Sequence, residues 1–342
     1  MNNAGKEKAA HDATDRIRDR RGQLDPDKLY DKLVSGDRVA LAQAITLTEN
    51  KLDRSAAEKL LSRIPPSDGT SYRIAVTGVP GAGKSTFIEA LGLHVVRQGA
   101  KVAVLAIDPT SPVGGGSILG DKTRMNELAR HERAYVRPSP SGGARGGLGT
   151  STMEAVMLCE AAGFEYIFIE TVGVGQGEIA AGGVCDIFLL LALARAGDQL
   201  QGIKRGIMEM ADALLITKAD GDNEHAARLA KAEYLSALHL LPPKESGWQP
   251  ATELVSAQTG LGIEKVWDIV LKHRDWVTGR GTLVKHRRAQ EKEWIRAALE
   301  SGVLEAFRNR PDVNEALKNA DRLIESGAAG IFGALGNLRK LI

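Results

Sequence analysis

The sequence predicts an α/β fold built on a mostly parallel sheet, with a helical extension before the sheet and a helical arm after it. Seven short apolar runs alternate with helical stretches between about residues 72 and 276, as in a sheet covered by helices on both faces. The pattern is also helical before residue 65, and the sequence becomes charged and helical again after Gly281. The predicted domains are therefore 1–65, 66–280 and 281–342.

Composition and charge argue against several classes of function. The chain has 342 residues, and the charges of its 45 basic and 43 acidic side chains nearly cancel. This balance does not indicate binding to nucleic acid or to an anionic membrane. The longest apolar run, residues 187–194, is far shorter than the roughly 20 residues that a membrane helix needs. The first residues are polar and lack the apolar core of a signal peptide. We expect a cytoplasmic protein in which Cys159 and Cys185 are core thiols.

The first predicted domain is helical over residues 24–64. Ser55 and Glu58 have the spacing of a capping box, in which the two side chains satisfy backbone N–H groups of the first helical turn. We therefore expect Ser55 to cap a helix. The segment PPSDGTS, residues 65–71, combines prolines with glycine and serine and is typical of a linker.

The first predicted strand, RIAVTG, runs directly into GVPGAGKST at residues 78–86. This segment fits the phosphate-binding pattern G-x-x-x-x-G-K-[ST], and a predicted helix follows it, as the motif requires. Glycines let backbone N–H groups surround phosphate oxygens, and the helix N-terminus favours negative charge. Lys84 is expected to reach the β- and γ-phosphates, and Ser85 to ligate magnesium. The predicted phosphate-binding residues are Gly78, Pro80, Gly81, Ala82, Gly83, Lys84, Ser85 and Thr86.

Three carboxylates follow predicted strands or lie in the loops after them. Asp108 ends the second strand and Asp121 lies thirteen residues later in a loop rich in proline and glycine. Glu170 ends a later strand, EYIFIET, and Gly173 follows it. Because ligands bind at the carboxyl ends of such strands, we expect these carboxylates to hold magnesium or its waters. Gly173 would let the backbone approach the γ-phosphate and sense its loss.

The nucleotide base is predicted to be guanine. The strand LLITKAD ends with Thr217, Lys218 and Asp220. A carboxylate at Asp220 can accept from both the ring N–H and the exocyclic amine of guanine, and adenine lacks this pair of donors. The later segment VSAQTG supplies Ser256 and Ala257, whose backbone would contact the guanine oxygen. Bound GTP or GDP, with Mg²⁺, is therefore expected.

These segments, in this order, resemble the MeaB/ArgK type of G protein. This family comprises the methylmalonyl-CoA mutase-associated GTPase chaperones, within the SIMIBI class of P-loop proteins. The resemblance covers nearly the whole chain and is carried by the phrases GVPGAGKST, DPTSP, GGSILGDKTRM, ETVGVGQ, AGDQLQGIKRGIME and KAD. The longer phrases are far more specific than the phosphate-binding loop alone.

The resemblance implies a GTPase that docks on an adenosylcobalamin-dependent acyl-CoA mutase, gates cofactor loading and protects or reactivates the mutase. It also implies a homodimer joined through the C-terminal arm. Lys84, Asp108, Asp121 and Glu170 match the nucleotide and magnesium positions of the family. Residues 194–204 match its third switch loop, in which Lys204 is a candidate to stabilise charge during hydrolysis; Arg124 and Arg145 are other candidates.

Departures from the family pattern leave some questions open. Thr217 stands where asparagine is commoner, so an amide contact to the base would be lost, although the hydroxyl can still tie this strand to the phosphate loop. Gly177 stands where the family usually has serine. Gly182 and Gly183 predict a looser helix after the second switch, the segment that holds Gly173. Two other functions remain as alternatives: a metallochaperone GTPase, and a transport-linked or kinase-type nucleotide hydrolase.

Overall fold

The computed structural model describes residues 25–49, 53–107, 125–137, 148–171, 176–194 and 205–339. Within these residues, seven strands form one sheet in the order β3-β2-β4-β1-β5-β6-β7, and every neighbouring pair is parallel. The strands are β1 Tyr72–Gly78, β2 Val102–Ile107, β3 Ala134–Arg137, β4 Tyr166–Thr171, β5 Ile187–Leu193, β6 Ala213–Thr217 and β7 Ala251–Val255. The predicted α/β fold with a parallel sheet is confirmed, and each of the seven apolar runs forms a strand.

Helices cover both faces of this sheet, which explains why β1 and β4 are buried at every position. Ile74 and Val76 belong to one core, with Phe87 and Trp267, whereas the intervening Ala75 belongs to the core on the other face. The helices are α1 Pro26–Val34, α2 Arg38–Glu49, α3 Arg54–Leu61, α4 Lys84–Arg97, α5 Asn126–Arg130, α6 Leu148–Ala161, α7 Gln176–Gly182, α8 Arg205–Met210, α9 Glu224–His239, α10 Ile263–Gly279, α11 Thr282–Arg308, α12 Pro311–Glu325 and α13 Ile331–Arg339.

The N-terminal helices α1, α2 and α3 share a core with the sheet domain. Leu33, Leu41 and Leu60 are fully buried in the same cluster as Val156 of α6 and Ile167 of β4. This extension therefore packs against the sheet domain, and its separation at residue 65 stays a prediction.

The capping box predicted at Ser55 is wrong. Helix α3 begins at Arg54, and Asp53 at its N-cap forms no capping hydrogen bond with its side chain. Glu58 accepts instead from Nε of Arg54 at 3.1 Å. Burial of Ala57 and Leu60 sets the position of this helix, so tertiary packing overrides the local signal.

The C-terminal helical arm is present. Helix α11 begins against the sheet domain, where Arg287 and Gln290 are buried, and most of its later residues are exposed. Helices α12 and α13 follow it, and Ile331 and Phe332 on α13 are 74% and 83% exposed. The arm thus leaves a large apolar surface open.

Both cysteines, Cys159 and Cys185, are buried and form no disulfide, as expected of core thiols. Burial raises the pKa of both thiols, which keeps them protonated. Along the parts of the chain that the structure describes, no helix is both long enough and apolar enough to cross a membrane.

Candidate nucleotide-binding site

The predicted phosphate-binding loop connects β1 to α4 at the carboxyl-end edge of the sheet. Gly78 has φ +150°, and a Cβ there would lie 2.3 Å from the carbonyl oxygen of Leu191. Only glycine therefore fits between β1 and β5 at this turn. Gly83, at φ +83°, has no atom within 4 Å of its Cβ position, so its role is to allow the left-handed backbone at the N-cap of α4. Pro80, Gly81 and Thr86 are exposed along this loop, and Ala82 is buried beneath it.

Lys84 folds back over the loop that precedes it. Its Nζ donates to the carbonyl oxygen of Gly78 at 2.8 Å and to that of Val79 at 3.3 Å, and the residue is 8% exposed. Burial lowers the pKa of Lys84, and the nearby carboxylates of Glu170 and Glu178 partly offset this effect. A buried cation whose hydrogen-bond acceptors are two neutral carbonyls would be stabilised by a bound anion. The loop therefore suits a phosphate group.

Ser85 and Glu170 lie together beside this loop. The Ser85 hydroxyl donates to Oε1 of Glu170 at 2.6 Å, and both residues are buried. This bond joins the first turn of α4 to the end of β4. A hydroxyl and a carboxylate are the hard oxygen ligands that Mg²⁺ prefers, so the residues present fit a magnesium ion.

Thr217 ties the end of β6 to the phosphate loop, as predicted. Its hydroxyl lies 2.8 Å from the carbonyl oxygen of Ala82 and 3.2 Å from that of Ala192. Lys218 follows with φ +55° and is exposed, while Asp220 is half-buried. Asp220 does not use its side chain to cap the short helical turn that follows it, so its carboxylate is not committed to that turn.

The two predicted base-binding segments come together because β6 and β7 are neighbours. Thr217 pairs with Val255 in the sheet, and the Ala219 N–H donates to the Val255 carbonyl at 3.1 Å. Ser256 is 1% exposed, and its hydroxyl accepts from the Thr259 N–H at 3.2 Å. Ala257 is half-buried. The segments that hold Asp220 and Ala257 therefore share one end of the sheet with the phosphate loop.

Four predicted site residues lie outside the described residues: Asp108, Asp121, Gly173 and Lys204. The alternative candidates Arg124 and Arg145 and nearly all of the predicted third switch loop lie outside them as well. The assignments made for these residues stay predictions.

Glu178 is a residue of this site that the sequence analysis missed. It lies in the first turn of α7, is 6% exposed, and its charge acts on Lys84. A helix of seven residues that contains two glycines has too little periodicity to show which of its faces is buried. The nearest signal in the sequence is the position of Glu178 five residues after Gly173.

One glycine of α7, Gly182, has a structural explanation. A Cβ on Gly182 would lie 2.0 Å from Cε of Met210 at the end of α8. Gly182 therefore makes room for contact between α7 and α8, and α7 is formed despite its glycines. Gly177 has no atom within 4 Å of its Cβ position, and nothing in the structure explains it.

A cavity of about 480 Å³ lies at the opposite, amino-end edge of the sheet, between β5, β6, α10 and α11. Its polar residues bond mainly to one another: Nζ of Lys244 donates to Oδ1 of Asp212 at 2.5 Å, and His273 lies 3.6 Å from the same oxygen. The phosphate loop is at the other edge, so this cavity is not the predicted nucleotide site.

A parallel sheet, a glycine loop at the carboxyl end of its central strand and a buried lysine at the start of the next helix together define a P-loop nucleotide-binding protein. Comparison with known proteins gives the particular family. The chain belongs to the family of methylmalonyl-CoA mutase-associated GTPases, MeaB, whose model matches residues 41–312. The protein is thus a GTPase that binds guanine nucleotides, and the predicted family resemblance is confirmed.

Relatives along most of the chain agree with this assignment. GTPase ArgK of Escherichia coli is 48% identical over 275 residues, covering 80% of this chain and 83% of the relative. A probable GTPase of Mycobacterium tuberculosis is 47% identical over 303 residues, covering 88% and 90%. A crystal structure described as a LAO/AO transport system kinase superposes with a TM-score of 0.71 at 36% identity, covering 92% of this chain and 96% of that one.

Proposed function

We propose that this GTPase is a cytoplasmic chaperone of an adenosylcobalamin-dependent acyl-CoA mutase, which gates cofactor loading and protects or reactivates the mutase. The observation that carries the proposal is the family match, which spans residues 41–312 and describes a mutase-associated GTPase. A GTPase cycle suits such gating, because switch segments held by the γ-phosphate are released on hydrolysis.

The phosphates of the nucleotide would lie in the loop at residues 78–86. Lys84 would exchange its two carbonyl acceptors for β- and γ-phosphate oxygens, where its charge is available during hydrolysis. Asp220 would accept from guanine, and the backbone of Ser256 and Ala257 would contact the guanine oxygen. Thr217 supports this arrangement, because its bond to the Ala82 carbonyl links the base-binding and phosphate-binding segments.

Magnesium, when bound, would offset the negative charge of the nucleotide phosphates. Ser85 and Glu170 would hold it or its waters, which is supported by their direct contact beside the loop. We assign Asp108 and Asp121 to the same shell from their positions in the sequence. Glu170 would then contribute to catalysis by orienting the ion's water shell.

The family assignment also gives roles to the second and third switches, the two segments proposed to respond to the nucleotide. Gly173 would approach the γ-phosphate at the second switch, and residues 194–204 would form a third switch that contacts the mutase. Lys204 would stabilise charge during hydrolysis. The glycines and polar residues of this loop suit a segment that changes shape at a partner surface.

The homodimer proposed for the arm is supported by a stripe of exposed apolar residues. Ile295, Leu299 and Val303 follow one another at every fourth position on α11 and are 59%, 66% and 62% exposed. A stripe of this size suits a second copy of the arm. Replacing Leu299 and Val303 together by lysine should give a monomer in sedimentation velocity that keeps the circular dichroism spectrum of the folded chain; a double variant that remains dimeric contradicts this interface.

The function is tested by measuring GTP hydrolysis with and without a purified adenosylcobalamin-dependent methylmalonyl-CoA mutase. We expect the mutase to accelerate hydrolysis, and nucleotide to control cofactor transfer to the mutase. Gln201→Ala, in the third switch, should retain basal hydrolysis and melting temperature but lose the acceleration. No effect of the mutase, together with metal transfer to another enzyme or phosphorylation of an acceptor, would favour the metallochaperone or the kinase-type hydrolase instead.

A further inference from the structure

The segment proposed to contact guanine begins a loop, residues 256–261, whose two ends are joined by a hydrogen bond. The Ser256 N–H donates to the carbonyl oxygen of Leu261 at 2.9 Å, and the Ser256 hydroxyl accepts from the Thr259 N–H at 3.2 Å. Ser256 is buried, whereas residues 258–261 are exposed. The position of Ser256, and of Ala257 after it, therefore depends on where the far end of the loop lies.

Gly262 brings the far end of this loop against β7. A Cβ on Gly262 would lie 2.0 Å from the carbonyl oxygen of Leu254 and 3.5 Å from Cα of Val255, the residue that precedes the loop. Its φ is +76°, in the left-handed region that favours glycine. Glycine thus lets the chain leave the loop in direct contact with the strand from which the loop starts.

The elements on both sides of Gly262 are fixed. Leu254 is paired with β6 in the sheet, and its N–H donates to Oε1 of Glu253 at 2.9 Å. On the other side, the first turn of α10 is held in the core by the buried side chains of Ile263 and Val266. A side chain at position 262 would therefore displace the exposed loop rather than the strand or the helix.

We propose that Gly262 is a positioning residue for guanine recognition, which acts through the loop that follows β7. Contact with β7 sets the position of Leu261, and the bond from the Ser256 N–H to Leu261 then fixes the residues proposed to contact the guanine oxygen. Because that bond commits the Ser256 N–H, the Ala257 N–H is the group left to donate to guanine. This role rests on the proposed contact of the loop with guanine and adds the residue that holds the loop in place.

The test is calorimetric titration of the full chain with GDP and with thioguanosine diphosphate (thio-GDP), in which sulfur replaces the guanine oxygen. Sulfur accepts hydrogen bonds more weakly than oxygen, so the wild-type chain should bind thio-GDP about tenfold more weakly than GDP. Gly262→Ala should weaken GDP binding by about tenfold and reduce the preference for GDP to about twofold. A merely structural role would lower the melting temperature and leave this preference unchanged, which would overturn the proposal.

The matched control is Gly260→Ala, in the same loop. Gly260 has φ +79°, and no atom of the described residues lies within 4 Å of its Cβ position. The control therefore carries the cost of a left-handed backbone without a clash at β7, and its affinity for GDP should stay within about twofold of wild type. Equal losses of affinity and preference in Gly260→Ala and Gly262→Ala would overturn the proposal, because the contact with β7 would then have no part in them.

Ser256→Ala decides the question should Gly262→Ala fail to fold. It removes the hydroxyl that accepts from Thr259 and keeps the backbone, so it loosens the same loop at a position where alanine fits. The preference for GDP over thio-GDP should fall by about threefold, and an unchanged preference overturns the proposal.

The wild-type chain separates this role from the proposed function on which it rests. If the wild-type chain prefers GDP to thio-GDP while Gly262→Ala keeps both the affinity and the preference, Gly262 has no positioning role and the contact with guanine stands. If the wild-type chain binds the two nucleotides equally, the loop does not contact the guanine oxygen and both assignments fail.

Discussion

At the carboxyl-end edge of the sheet, Lys84 and Thr217 bond to backbone carbonyls, and Ser85 bonds to Glu170. At the amino-end edge, charged side chains instead form buried pairs with several bonds each. Arg73, which is 2% exposed, meets Glu160 through two bonds, of 2.7 and 3.0 Å. The first edge holds polar groups that a ligand can recruit, and the second holds charges already neutralised by the protein.

The difference explains why buried charge alone does not identify a site. Asp212 at the amino-end edge is buried, which raises its pKa, but the neighbouring His273 and Lys244 outweigh burial and hold the pKa below its usual value. Lys84 at the other edge has a pKa lowered by burial and only neutral carbonyls as hydrogen-bond acceptors. An incompletely compensated charge is the better guide to function.

The largest expected effect is at Lys84. Lys84→Ala should lower kcat for GTP by about 10³-fold, because it removes the cation that offsets charge on the transferring phosphate. The melting temperature should not fall, since a buried and weakly compensated ammonium is lost. Hydrolysis and thermal unfolding of the same preparation check both statements. If the variant instead retained kcat and lost stability, Lys84 would serve the folded structure rather than GTP hydrolysis.

The opposite pattern is expected at Arg73. Arg73→Ala should lower the free energy of unfolding by about 3 kcal/mol, because it leaves the Glu160 carboxylate buried without its main partner. Adding Glu160→Gln to this variant should recover part of the loss, as measured by urea denaturation. The kcat of the folded fraction should stay near the wild-type value. A loss of hydrolysis without a loss of stability would contradict the assignment of a purely structural role to the amino-end edge.

A smaller effect is expected at Asp220. Asp220→Ala should weaken GTP binding by about 1–3 kcal/mol, the magnitude of a lost charge-assisted hydrogen bond. Binding of ATP should change little, so discrimination between the two nucleotides narrows. Titration calorimetry with both nucleotides checks this. An equal loss of affinity for GTP and ATP would show that Asp220 does not bind the guanine base.

The smallest effect is the pH dependence of stability from Glu160. Burial raises its pKa, but bonds from Arg73 and Ser71 outweigh burial, so the pKa lies below its usual value of 4.5. The unfolded chain then binds more protons, and this contribution to stability is lost as pH falls below about 4.5, by at most roughly 1.4 kcal/mol per pH unit. Glu160→Gln should reduce the fall in the free energy of unfolding at acid pH. If this fall were unchanged in the variant, Glu160 would not be held in its charged form.

The sequence predicts most of this architecture because its signals are local. Strands β4, β5 and β6 are nearly continuous apolar runs, as strands buried on both faces are, and the loop from Gly78 to Ser85 carries its own glycine pattern. The resemblance to a known motif predicts the bond from Thr217 to the loop, since the threonine hydroxyl can take this part of the asparagine's role.

What the sequence could not predict depends on tertiary packing. Arg73 and Glu160 are 87 residues apart, and no local pattern pairs them. The start of α3 is set by the burial of Ala57 and Leu60 rather than by the capping signal at Ser55. Glu178 lies near Lys84 only in the folded chain.

The central claim, that guanine nucleotide binds at the carboxyl-end edge, is tested most directly by hydrogen exchange of the full chain with and without GDP and Mg²⁺. The account predicts slower exchange in residues 78–86, 217–221 and 256–261, and unchanged exchange in residues 241–250 and 270–277 beside the cavity at the other edge. Protection of the cavity segments with no change in the loop at residues 78–86 would contradict it.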